Sequence, residues 1–387
     1  MNDLVSIMAD KFRNHFGVEP LLVVSPGRVN LIGEHTDYNE GFVLPGATDK
    51  SVVMALSPHP DGLCHFVARD LDQEFRCDLG SLHKSPLRWP DYLQGVIDQF
   101  LRSGRKIGGF NCVFGGDIPI GAGMSSSAAI EGGLAFGLNH LYKLGIDDLT
   151  LVKLAQQAEN EFVGVRCGIM DQFVNIHGRE RSVLKLDCRS LEFEYVPFER
   201  EDLRIVVCDT LVRRELAGSE YNVRRGQCEE AVALLRSHEP SIRSLRDVSL
   251  DLLREHETEF DPVILRRAKY VVEENGRVEE ATADLLRGDF NAFGERMKAS
   301  HAGLRDGYEV SSPELDALVD AASGLPGVLG ARMMGAGFGG CTINLVEADA
   351  VPEFRERVAA IYEAVFEKAP AVHVIRIEAG TRLAPSA

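Results

Sequence analysis

Apolar residues at the start of the chain recur at helical spacing. Leu4, Ile7, Met8, Phe12 and Phe16 fall on one face, which predicts an opening amphipathic helix. The pattern then shortens. The apolar run 21–24 reads as a strand, ended by the turn pair Pro26-Gly27. Further strands are expected at 52–56, 64–68 and 75–79, the last with clean alternation, and at 109–114. Trp89-Pro90 opens a helix whose apolar face is Leu93, Val96, Ile97, Phe100 and Leu101. Two long helices follow at about 126–142 and 149–163, then a glycine-rich loop, 164–171, and a hairpin over 183–195.

A strand at 203–208 begins the second half, which is mostly helical: 215–236, 247–255, 262–274, 278–286 and 290–302. Ser312-Pro313-Glu314 is a helix start, with a capping serine and proline in the first turn. Strand, glycine loop, strand, helix and strand finish the pattern at residue 377. The charged stretch 198–202 is the expected boundary between domains 1–200 and 201–387. At 387 residues and 45% hydrophobic content, two full cores are within reach.

Charge narrows the partners. A net charge of −17 argues against nucleic acid and anionic membranes, which need basic patches. No basic segment followed by an apolar core opens the chain, and no apolar run nears the roughly 20 residues a membrane helix needs. The eight cysteines form no C-x-x-C pair, so reduced thiols in a cytoplasmic protein are expected.

Polar chemistry concentrates at Arg28, Asn30, Glu34, His35 and Asp37, within ten residues, with Gly33 allowing a sharp bend. Such a loop can read the hydroxyls of a polar small molecule. A polar surface loop is the alternative, and the metal-ligand spacing is poor. Gly121-Ala122-Gly123-Met124-Ser125-Ser126-Ser127-Ala128-Ala129 lies between a strand and a long helix, suited to a phosphate on the helix N-terminus or simply to a capped turn. No Walker A sequence occurs. Glu159 flanks the buried face of its helix, where a solvated carboxylate is the ordinary occupant. Asp171 sits in a glycine-flanked loop, where a turn or helix cap is the ordinary role. Gly335-Ala336-Gly337-Phe338-Gly339-Gly340 matches a dinucleotide fingerprint, yet the strand-like run after it excludes that reading, which requires a helix.

Residues 26–38, continued by Asn39 and Gly41-Phe42-Val43-Leu44-Pro45, closely resemble the signature of galactokinases. These belong to the small-molecule kinase superfamily that includes the homoserine, mevalonate and phosphomevalonate kinases. The Gly121–Ala129 run and Gly168-Ile169-Met170-Asp171-Gln172-Phe173 resemble two further superfamily motifs, so the likeness spans nearly the whole chain. It implies an α+β, two-domain kinase with its site in the interdomain cleft, converting ATP and α-D-galactose to ADP and α-D-galactose 1-phosphate. It makes Asp171 the general base, with Arg28 beside it. It aims Glu34, His35, Thr36, Asp37, Gly168 and Tyr221 at the sugar, Tyr221 by way of Ser219-Glu220-Tyr221-Asn222. Gly121, Ala122, Gly123, Met124, Ser125, Ser126 and Ser127 would hold the nucleotide; Ser127 and Glu159 would hold Mg2+. The glycine loop 335–340 would close on the site. A monomer, or at most a weak homo-oligomer, is expected. A related C1 kinase of N-acetylgalactosamine or arabinose, or a non-catalytic sensor of galactose and ATP, are the alternatives.

Overall fold

A computed structural model describes residues 2–119, 121, 123–212 and 217–384, with side chains for all of these except 2 and 217–219. The first sheet grows from the strand Leu21–Asn30, which pairs antiparallel with the long strand Pro45–His59. Pro45–His59 pairs in turn with Gly109–Gly116, and Leu63–Ala68 and Gln73–Asp78 complete that side. On the other edge, Arg382–Leu383 pairs with Val23 and Val24, so the end of the chain returns to its beginning.

The turn expected at Pro26-Gly27 is absent: the strand continues to Asn30 through a bulge between Pro26 and Arg28. A bulge accommodates a proline, which lacks the N–H that a regular ladder would use. It also needs glycine. A Cβ on Gly27 would lie 2.7 Å from the Met124 carbonyl oxygen, and the next amide, Arg28 N–H, donates to that oxygen at 3.1 Å. The glycine-rich loop is thus fastened directly to the first strand.

The helix Ser126–Leu141 lies across this sheet. Its small residues set the distance: a Cβ on Gly137 would stand 2.3 Å from Leu56 Cδ1, and one on Gly133 2.8 Å from Ser25 Cβ. Helices Trp89–Arg102, Asp148–Gln157 and Met170–His177 pack against this helix, Met170–His177 also meeting the sheet, and the opening helix Asn2–Phe16 covers the sheet's opposite face. A small sheet of Phe42–Val43, Ser182–Asp187 and Phe193–Pro197 follows, including the expected hairpin.

After Pro197 the chain enters a four-stranded antiparallel sheet of Val328–Met334, Cys341–Glu347, Leu203–Asp209 and Ala371–Ile375. The strand after the glycine loop is therefore real. The two helices expected at 262–274 and 278–286 are one, Pro262–Leu286, because nothing near Gly276 breaks the hydrogen-bonded ladder. Glycine weakens a helix by about 1 kcal/mol, which packing readily offsets. The helix presents Glu274 to the Gly33 amide (3.0 Å) and the Asn275 side-chain oxygen to the Phe42 amide (3.0 Å), holding the polar loop from behind.

Arg332, fully buried in Val328–Met334, braces the four-stranded sheet against the first. Its Nε donates to the Leu31 carbonyl at 2.8 Å and its Nη1 to the Met333 carbonyl at 2.7 Å; its Nη2 reaches the Asn30 carbonyl and, at 3.1 Å, Glu34 Oε1. Truncating one partner of such a buried pair strands the other charge, at a cost of about 3–5 kcal/mol. Arg332→Met should lower the urea midpoint accordingly without changing the transition slope, and adding Glu34→Gln should cost less than the sum of the two changes. Additive losses would mean that the pair is not coupled.

Candidate active site

Arg28 leaves the bulged strand and forms the floor of the site. Its Nε and Nη2 grip both oxygens of Asp171, at 2.7 and 3.0 Å, and its Nη1 donates to the Gly123 carbonyl. This fork-on-fork pairing fixes the carboxylate plane as well as its position. Burial lowers the Arg28 pKa, but Asp171, Glu34 and Asp37 outweigh it, so the guanidinium stays charged. Asp171 stands in the first turn of Met170–His177, where the sequence suggested only a loop; the free amides of a helix start favour an anion. Ser125, in left-handed backbone conformation at the head of the glycine-loop helix, donates its hydroxyl to Asp171 and makes no cap.

The polar loop supplies one wall. Glu34 is buried, its Oε1 accepting from Arg332 and from the Gly335 amide at 2.9 Å. The glycine loop is thereby drawn over the site, and Gly335 and Gly123 face each other across it: a Cβ on Gly335 would lie 3.5 Å from the Gly123 carbonyl oxygen. Asp37 accepts from the Tyr38 amide at 2.9 Å. Its other oxygen occupies the space that a side chain at 168 would take, since a Cβ on Gly168 would fall 1.9 Å from Asp37 Oδ2. His35 has φ +64°, and burial followed by the nearby Arg224 pushes its pKa down to about 3, so the ring is neutral. Tyr221 closes the wall with its ring centroid 5.6 Å from that of His35. Between these groups lies a cavity of roughly 180 Å³, bounded also by Glu159, Cys167 and Ala336.

Glu159 enters the site by a change of helical pitch. The helix Asp148–Gln157 widens into a π turn, Ala158–Val163, and Glu159 becomes buried beside the cavity instead of flanking its helix. Burial and the Asp171 charge push its pKa up to about 7, while hydrogen bonds from Cys167, Ser127 and Gln172 oppose that. A hydroxyl and a carboxylate meeting beside a helix N-terminus suit a hard divalent cation that keeps several waters and phosphate oxygens. Gln172 Nε2 bridges Glu159 Oε2 at 2.7 Å and Glu131 Oε2 at 3.2 Å. Burial, then Glu159, drives the pKa of the fully buried Glu131 well above the carboxylate range.

Most expected site residues thus converge: Arg28, Glu34, His35, Asp37, Glu159, Gly168, Asp171 and Tyr221 share one cavity. Thr36 does not. Its hydroxyl donates toward the Gly33 and Phe42 carbonyls, at 2.8 and 2.6 Å, which shapes the loop. Gly121 and Gly123 adopt the positive φ values, +79° and +68°, that the glycine loop requires, and Ala122 lies outside the described residues. Met124 is buried and serves the first strand through its carbonyl; Ser126 and Ser127 open the helix. Arg332, Gln172, Glu131 and Cys167 were not anticipated. A lone acid in the otherwise small and apolar helix run around Glu131 was the one available signal.

A family model described as the galactokinase galactose-binding signature matches residues 10–58. Models of the GHMP kinases N terminal domain and C terminal match residues 91–179 and 281–364. The chain is 42% identical to a galactokinase of Roseiflexus sp. (strain RS-1) over 374 residues, 96% of this chain and 95% of the relative. It is 44% identical to a galactokinase of Homo sapiens, covering 91% of this chain and 90% of that one. Lactococcus lactis galactokinase complexed with galactose superposes with a TM-score of 0.94 at 36% identity, over 98% of this chain and 100% of that chain. Methanococcus jannaschii mevalonate kinase, 18% identical, shares the fold with a TM-score of 0.65, over 93% of this chain and 98% of that chain.

Burial and Asp171 push the Asp37 pKa up to about 7. In the unfolded chain it titrates near 3.9. The folded state therefore holds the proton longer, so as pH rises from about 4 to 7 ionisation favours unfolding, and the penalty is complete above 7. Asp37→Asn, which cannot ionise, should gain thermal stability over the wild type at pH 8 and little at pH 4. Melting curves across that range check this; a pH-independent difference would contradict it.

Proposed function

This chain belongs to the galactokinase family, and on that premise we propose that its cleft moves the γ-phosphoryl group of ATP to the C1 hydroxyl of α-D-galactose. The observation that carries the assignment of roles is the Arg28–Asp171 pair, set between the polar loop and the glycine loop. Asp171 accepts the C1 proton as the oxygen attacks. Arg28 holds the carboxylate and faces the charge that spreads over the transferring group, where fixed positive charge is most effective. Ser125 orients Asp171 from its other side.

Glu34, His35, Asp37 and Tyr221 bind the sugar, and Gly168 leaves room for Asp37. Thr36 shapes the loop. The run 121–127 would hold the nucleotide phosphates, with the amides that open the helix Ser126–Leu141 facing the anion. Mg2+, when bound, neutralises phosphate charge; Ser127 and Glu159 are the residues that would hold it, with Gln172 fixing the Glu159 carboxylate. Closure of the glycine loop 335–340 excludes water while in-line geometry is set.

The same reading divides the chain near residue 200 into two domains. It has the enzyme working in the cytoplasm on galactose and ATP, as a monomer or weak homo-oligomer. Among the described residues no helix is long and apolar enough to cross a membrane.

Asp171→Asn keeps the shape and removes the base. Galactose and ATP should still bind by calorimetry, while single-turnover rates fall by about 10²–10⁴-fold. Near-normal chemistry would show that Asp171 is not the base. Glu159→Gln should raise the magnesium concentration for half-maximal rate at saturating ATP and leave galactose affinity little changed. An unmoved magnesium curve would make Glu159 a structural carboxylate only.

A further inference from the structure

Behind the sugar wall a row of polar groups runs into the core. Asn39 Nδ2 approaches Cys228 Sγ at 3.6 Å, Cys228 Sγ meets the Tyr308 hydroxyl at 3.2 Å, that hydroxyl meets Tyr38 Oη at 2.6 Å, and Tyr38 Oη meets His35 Nδ1 at 2.8 Å. Cys228 and Tyr308 are buried and far from Asp171 in sequence, and the phosphoryl transfer derived above uses neither.

The Asn39 end fixes the direction of this row. Asn39 Nδ2 also donates to the His35 carbonyl at 2.9 Å. A carbonyl only accepts, so the amide cannot be turned around, and Cys228 sulfur faces an N–H. The thiol then has its own proton to give to Tyr308, Tyr308 gives its proton to Tyr38, and Tyr38 gives its proton to His35 Nδ1. In the reverse direction the sulfur would face two donors and the thiol proton would be left over. At the other end, His35 Nε2 has no hydrogen-bond partner among the described residues, and the ring lines the cavity. With Nδ1 accepting from Tyr38, the single proton of the neutral ring falls on Nε2.

We propose that Tyr38, Tyr308 and Cys228 form a one-way hydrogen-bond relay that locks His35 with its proton on Nε2, so that His35 meets the sugar as a donor to a hydroxyl oxygen. This rests on the sugar-binding reading of the cleft and deepens it. The chemistry is complementary. Glu34 and Asp37, when ionised, only accept, so they take hydroxyl protons and leave the oxygen lone pairs unanswered. His35, held as a donor, answers one of them. Tyr38 and Tyr308 are thus positioning residues that set what His35 can recognise.

Two-bond ¹H–¹⁵N correlation spectra of the full-length enzyme labelled at histidine nitrogen read the tautomer directly, with His35→Gln identifying the signals by their loss. The expected result in the sugar-free wild type is a proton on Nε2 and a bare Nδ1; in Tyr38→Phe both tautomers are expected. A proton on Nδ1 in the wild type, or an unchanged Nε2–H form in Tyr38→Phe, would overturn the relay. Kinetics give a second readout. Tyr38→Phe should raise the KM for galactose about five- to tenfold with little change in kcat. Among galactose analogues, one position should tolerate fluorine, which accepts but cannot donate, better than hydrogen. That advantage should vanish in Tyr38→Phe; its persistence would also overturn the relay. Because the tautomer is read without sugar, an absence of galactose turnover would overturn the proposed function and not the relay.

Discussion

A fully buried guanidinium joins the first sheet of this protein to its four-stranded sheet. Arg332 spends its donors on the Asn30, Leu31 and Met333 carbonyls and on the Glu34 carboxylate. Burying such a charge is costly unless every donor is met, and here each neighbour is itself part of the site or one step from it. Asn30 ends the strand that carries Arg28, Glu34 lines the cavity, and Glu34 also holds the Gly335 amide of the glycine loop. Through Glu34 this brace reaches the Gly335 amide, and there the two glycine loops face each other. The same network sets the electrostatics, since Arg28 is surrounded by Glu34, Asp37 and Asp171.

The acids of the cleft outnumber its bases, and their environments separate them. Asp171 is gripped by a guanidinium and stands at a helix start. Asp37 and Glu159 are held near neutrality by burial and by Asp171, and Glu131 is driven higher still. Groups arranged in this way gain from ligands that bring donors or positive charge.

The fold was legible where local pattern carries it. Alternation marks the strand Gln73–Asp78, and the strand-like run after Gly340 by itself excludes a nicotinamide site. The signature from Pro26 to Tyr38 pointed to its chemistry because its polar residues are crowded and its glycines punctuate them. Long-range packing hid the rest. Pro26-Gly27 reads as a turn, yet the Met124 carbonyl fills the glycine's open side and turns it into a bulge. Glu159 reads as a helix flank, and only the π turn rotates it inward. The sequence does not show that the Thr36 hydroxyl meets two carbonyls of its own loop. Arg332 gives no local signal, because its partners Asn30, Leu31 and Glu34 lie some 300 residues away in sequence.

Phosphorus NMR of the purified protein with magnesium and ATP, run against a panel of free sugars, is the most direct measurement of what the cleft does. Galactose should give stoichiometric ADP and a single new phosphate ester coupled to an α-anomeric proton, with glucose nearly inert. ADP formed without a sugar phosphate, an ester at a carbon other than C1, or another sugar phosphorylated in preference to galactose would contradict the assignment.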